Sequence, residues 1–187
     1  MTEVDAGLRP IEPSLATLVD RARGGDGDAF VELVQPLQAT AYRVAAAILC
    51  DPHEAQDAVQ EATVRAWRNI RTLRDAGAVN AWYRSIVVNE CRRSHSGSWR
   101  RMLPWGLHRE PGVHDSDAFE LGVVVRQVLD RLSVDHRIVL VLHHYFDVSL
   151  VDIADQLAVP LGTVKSRLSR ATERFTTAYA AANKEAS

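Results

Sequence analysis

Ser149–Phe175, SLVDIADQLAVPLGTVKSRLSRATERF, is the stretch on which the reading of this chain turns, because it spells two helices and the turn between them. Ser149 suits an N-cap, Asp152 three residues on is a shortened capping-box acid, and Leu150, Ile153, Ala154 and Leu157 recur at helical spacing. Ala158-Val159-Pro160 breaks this helix, since proline lacks an N–H and biases the residue before it towards extended backbone, while suiting the first turn of a new helix. A second helix is predicted from about Pro160, with Val164, Leu168, Ala171 and Phe175 on one apolar face. Thr163, Arg167, Arg170 and Arg174 share an exposed flank, Lys165, Ser166 and Ser169 lie beside it, and Glu173 is the only acid.

A basic helix joined to a shorter partner by a tight turn has the form of a helix-turn-helix, whose second helix enters the major groove of DNA. Arginine suits the task because its planar fork takes guanine edges or phosphates two bonds at a time. The alternative is a plain αα-hairpin with a solvated arginine face. VPLGTVKSRLSRA after the SLVDIADQL helix resembles the promoter-reading domain of bacterial sigma factors of the extracytoplasmic-function group. The sequence departs from that pattern at Ala158, where the family has glycine; a left-handed alanine there costs on the order of 1 kcal/mol.

Upstream, Asp51-Pro52-His53-Glu54 is a strong helix start, and the helix is predicted to run to about Ile70 with Ala55, Ala58, Val59, Ala62, Ala66 and Ile70 buried. Its exposed face carries Glu54, Asp57, Gln60 and Glu61. A breaker from Arg71 to Gly77 precedes another helix, Val79 to Arg93, in which Trp82, Ile86 and Asn89 recur. Asp57-Ala58-Val59-Gln60-Glu61 and Ala81-Trp82 with Ile86 and Asn89 resemble the paired helices of the other sigma domain. That resemblance implies that Asp57, Gln60 and Glu61 dock on core RNA polymerase. It implies further that Arg71, Arg74, Asn80, Trp82, Arg84 and Asn89 hold the melted non-template strand, a task needing cations for phosphate and flat or polar surfaces for unstacked bases. Tyr83 is a further candidate surface, and Arg92 and Arg93 further cations.

Nearer the start, residues 1–13 lack periodicity and are expected to form a loose tail. Ser14 caps a helix whose inward side is Leu15, Leu18, Val19 and Ala22; glycines end it, and Asp28 is the expected cap of the next, kinked at Pro36. Residues 95–118 read as a linker with two tryptophans, Trp99 and Trp105. Beyond it Leu121, Val124, Val125, Val128 and Leu132 face inward on one helix, and Ser133 caps another with Ile138, Val141, Leu142 and Tyr145 inward. The expectation is an all-α chain of two small helical domains on a flexible linker: residues 14–94, corresponding to sigma region 2, and residues 119–182, corresponding to region 4 with the helix-turn-helix, followed by a tail at 183–187.

The net charge of -2 excludes a polycation that coats DNA by counterion release alone, so nucleic-acid affinity must be local or shared with a partner. Cys50 and Cys91 suggest neither a disulfide framework nor a zinc motif, and a reducing cytoplasm fits. The longest apolar run, Val44 to Cys50, is far short of a membrane span. His143-His144 with Asp147 is not read as a metal site, because adjacent helical side chains point about 100° apart. No catalytic constellation and no cofactor motif is present, which points to binding rather than covalent chemistry. The family resemblance implies core RNA polymerase, promoter DNA and an anti-sigma factor as partners. A stand-alone helix-turn-helix regulator and an adaptor with a sigma-like fold are the rival readings.

Overall fold

The structure, a computed structural model, describes residues 14–96 and 122–185. The expected N-terminal tail, Trp99, Trp105 and Leu121 lie outside the described residues. Every regular element within them is helical. The first module holds α1 (Leu15–Arg23), α2 (Gly27–Val34), a 3-10 turn at Gln35–Leu37, α3 (Gln38–Leu49), α4 (Pro52–Asn69) and α5 (Val79–Ser96). The second holds α6 (Val123–Asp130), α7 (Val134–His144), α8 (Leu150–Leu157) and α9 (Leu161–Glu185).

Local chemistry sets most of the boundaries. Asp51 accepts from the backbone N–H groups of His53 and Glu54, with Pro52 opening α4, and Ser14 and Ser133 accept from Thr17 and His136. The cap of α2 is Asp26, accepting from Ala29, and not the expected Asp28, which lies inside the first turn. Pro36 does more than kink its helix: the chain passes through the 3-10 turn and restarts as α3. At the far end α9 continues to Glu185, through residues 183–185 that the sequence assigned to a tail.

All six residues expected on the inner face of α4 are buried. In α5 the buried line is offset by one residue from the Trp82, Ile86, Asn89 series: Val79, Tyr83, Val87 and Cys91 enter the core. Tyr83 is therefore no stacking surface, its hydroxyl being tied to the Thr63 hydroxyl (2.7 Å) and the Gln38 amide (3.1 Å). Two turns further, buried Glu90 is held by Arg65 and by Arg93 (2.9 Å). Two apolar residues expected inside are outside: Leu15 is at the exposed start of α1, and Tyr145 follows the end of α7, where it meets Phe146 edge-on.

The two modules are in contact. α3 packs on α4 and α5 on one side and on α6 and α7 on the other, while α5 also meets α7 and α8. Val44, Ala45, Ala46, Ala47, Ile48 and Leu49 are consecutively buried, so the end of α3 is enclosed all round. The sequence reading gave α3 one inward face because it did not foresee a second layer.

Candidate nucleic-acid and partner interfaces

The turn between α8 and α9 forms as its residues dictate. Ser149 accepts from the Asp152 N–H (3.1 Å), and its hydroxyl donates to the Asp152 carboxylate (2.7 Å), a variant of the capping box in which the acid receives a side-chain rather than a backbone proton. Ala158 ends α8 in the left-handed region, at φ 52° and ψ 46°, and the Val159 N–H returns to Ala154 O (3.1 Å). Buried Val164 and Ala171, with half-buried Leu168 and Phe175, fix α9 by its apolar face.

That packing turns Lys165, Ser166, Arg170 and Arg174 outward and leaves Thr163 half-buried. Arg167 is different: its guanidinium is bound to Asp135 of α7 at 3.0 Å. His136, next to Asp135, has its pKa lowered from 6.5, first by burial and then by the charges of Arg174, Arg170 and Arg167, with Asp135 opposing. The arginines of α9 thus lie close enough to His136 to oppose its protonation.

In the first module the six residues assigned to unstacked DNA divide by environment. Arg71, Arg74 and Asn80 are exposed at the breaker and the start of α5. Trp82 is half-buried, and its indole N–H donates to Thr72 Oγ1 (3.1 Å), bracing the breaker segment. Arg23 of α1 holds the same segment by donating to Leu73 O and to Arg74 O (3.3 Å). Asn89 and Arg84 are half-buried, and Arg84 Nε donates to Gln156 Oε1 of α8 at 3.2 Å. Burial lowers the Arg84 pKa, with Asp152 opposing.

Asp57, Gln60 and Glu61 lie together on the exposed face of α4, beside exposed Val64. Among the described residues none of these three polar groups is held by an ion pair or hydrogen bond. Glu54, counted with them in the sequence, is half-buried. No group of three or more His, Cys, Asp or Glu among the described residues is placed to hold a metal ion, and His143 donates from Nδ1 to Val148 O (3.1 Å). No described helix is long and apolar enough to cross a membrane.

Residues 33–101 match the family model for sigma-70 region 2, and residues 123–175 match that for sigma-70 region 4. The ECF RNA polymerase sigma factor SigM of Mycobacterium tuberculosis is 33% identical over 166 residues, covering 88% of this chain and 84% of the relative. The chain belongs to the extracytoplasmic-function sigma factors. SigW of Bacillus subtilis, of the same family, is 27% identical to this sigma factor over 178 residues, covering 87% of this chain and 95% of the relative. Among solved structures, the sigma factor RpoE of Bartonella quintana, in complex with the anti-sigma factor NepR, superposes with a TM-score of 0.65 at 24% identity, over 80% of this chain and 95% of that one, a likeness of fold.

The region 2 match spans the α4 face and the breaker, and the region 4 match ends at Phe175, where the apolar stripe of α9 stops. The sequence reading of this sigma factor missed the residues that join the modules: Asp135, Arg137, Gln156 and the backbone of Ile48. Asp135 carried only the ordinary signal of an acid in a first helical turn, which complements the helix dipole. Arg137 carried none, since a lone arginine between apolar residues reads as solvated.

Proposed function

We propose that this sigma factor directs core RNA polymerase to specific promoters in the cytoplasm, residues 14–94 serving as the polymerase-docking and strand-opening unit and residues 119–182 as the distal-element reader. The observation that carries this reading is the α4 face, where Asp57, Gln60 and Glu61 stand exposed and unengaged while most of the surrounding helix is packed. Acids and an amide so arranged suit a basic, polar partner helix. On the second module, exposed Arg170 and Arg174 with Lys165 supply phosphate and base-edge donors along one helix. Arg71, Arg74, Asn80, Trp82, Arg84 and Asn89 are assigned to the opened strand. An anti-sigma factor is the expected inhibitor.

Binding of the fluorescently labelled chain to purified core polymerase tests the docking face. Reversing both charges, Asp57→Lys with Glu61→Lys, is expected to weaken association at least about tenfold, or about 1.4 kcal/mol, and to abolish run-off transcription. Unchanged affinity removes α4 as the docking surface.

A further inference from the structure

Arg84, Val88 and Arg92 follow one another at i, i+4 and i+8 along one stripe of α5, and this stripe faces the second module. Arg84 reaches Gln156 of α8, Val88 is fully buried, and Arg92 Nε lies 3.2 Å from Asp135 Oδ1 of α7. The other oxygen of the same carboxylate takes Arg167 of α9 at 3.0 Å. Asp135 therefore holds two guanidiniums, one from each module, on its two oxygens, as a bridging phosphate does. Two residues along α7, buried Arg137 sends Nη1 across the seam to Ile48 O (2.6 Å) and Nη2 to Leu132 O (3.1 Å) in its own module.

We propose that Asp135 is an internal stand-in for DNA phosphate: by holding Arg92 and Arg167 together it latches the modules shut, so that the free chain cannot grip DNA with both modules until the latch parts. The proposal rests on the functional reading above for the assignment of Arg84 and Arg167 to DNA. It gives that reading an order of events, because the closed seam engages Arg84, Arg92 and Arg167 while leaving Asp57, Gln60 and Glu61 exposed. Polymerase meets a chain whose docking face is open and whose nucleic-acid faces are engaged at Arg84, Arg92 and Arg167, while Arg170 and Arg174 stay exposed. The side chains of Arg92 and Asp135 are each 34% exposed and that of Arg167 22%, so salt screens the latch and a polyanion competes with it directly.

Cys50 is a built-in reporter of closure. It ends α3, and Arg137, Asp130 and Arg126 of the second module are the charges that act on its thiol, which burial pushes up to about 11. Opening takes the second module away from this half-buried thiol and lowers it towards the ordinary 9.0, which raises the thiolate fraction at pH 8. Cys91 lies in the core of the first module, its thiol pushed up to about 12 chiefly by burial, and stays protected whether or not the seam parts.

The test measures alkylation of both thiols at pH 8, and binding of a random-sequence DNA duplex, on the full chain without polymerase. Asp135→Asn is expected to speed Cys50 labelling at least about tenfold at low salt, to remove its acceleration by added salt, and to tighten duplex binding several-fold, with Cys91 unchanged. Gln156→Glu, which gives Arg84 a charged partner, is expected to slow Cys50 and weaken duplex binding. Unchanged Cys50 rates in both variants overturn the latch, as does tighter duplex binding without faster Cys50, since removing a negative charge does that alone. If Asp135→Asn exposes Cys91 as well, the fold has been lost and Gln156→Glu decides. Run-off transcription by the wild-type chain with core polymerase separates the two readings: transcription with unmoved thiol rates sinks the latch alone, and moved rates without transcription sink the functional reading alone.

Discussion

Replacing Ala158 by glycine is expected to stabilise the protein, although it removes a methyl group. Ala158 is at φ 52° and ψ 46°, where an L-residue with a Cβ crowds its own backbone at a cost of about 1–2 kcal/mol. Glycine avoids that cost but brings a freer unfolded chain, which takes back about 0.5–1 kcal/mol. The side chain is exposed, and the return bonds from the N–H groups of residues 158 and 159 to Asp155 O and Ala154 O are backbone bonds that both residues make. A net gain of about 0.5–1 kcal/mol remains. In urea, Ala158→Gly is expected to raise the unfolding midpoint at unchanged slope, and in a thermal scan to raise Tm by about 1–4 °C for a chain of this size. Ala158→Val works in the opposite direction, because a β-branched side chain is worse in this region. A midpoint unmoved or lowered by glycine would show that the turn is not left-handed in solution, and the angle between α8 and α9 would have to be set another way.

Arg167→Ala is expected to cost about 1–3 kcal/mol of promoter binding by the polymerase complex and to relax selectivity at a single base position, read by a binding assay over a mutated promoter set. An equal loss on every sequence would make it a phosphate contact. For His136, the proton resonance is expected to titrate below 6.5, because burial and the three α9 arginines disfavour the charged ring. Since the unfolded chain then binds the proton more readily, stability contributed by the neutral ring is complete above pH 6.5 and declines as pH falls towards the folded pKa. His136→Gln should flatten that decline in a urea series across pH 7 to 5; an unchanged slope removes His136 as its cause.

The elements that local chemistry specifies were legible. Asp51 with Pro52 announces α4, the alanine-rich periodicity of α4 gives its buried face residue for residue, and Ala158-Val159-Pro160 marks the turn that places α9. What was not legible depends on partners distant in the chain. Tyr83 and Trp82 are adjacent aromatics on one helix; Tyr83 joins the buried line of Val79, Val87 and Cys91, and its hydroxyl finds partners in Thr63 and Gln38 on other helices. Arg137 is buried because Ile48, 89 residues away, presents a carbonyl to it, and no periodicity encodes that meeting. The DNA-binding candidates were found by residue type and order. Which of them are free and which are engaged follows from the docking of one module on the other, which a one-dimensional pattern does not contain.

Of the six consecutive buried residues at the end of α3, three are alanines and three are the larger Val44, Ile48 and Leu49. Ile48 and Leu49 close the helix beside the seam that Arg137 crosses, so parting the modules there bares oily surface that water or another protein must then cover. Residue size on one short helix therefore sets how reversibly the molecule can unclasp, much as the depth of a tooth sets how readily a ratchet slips back.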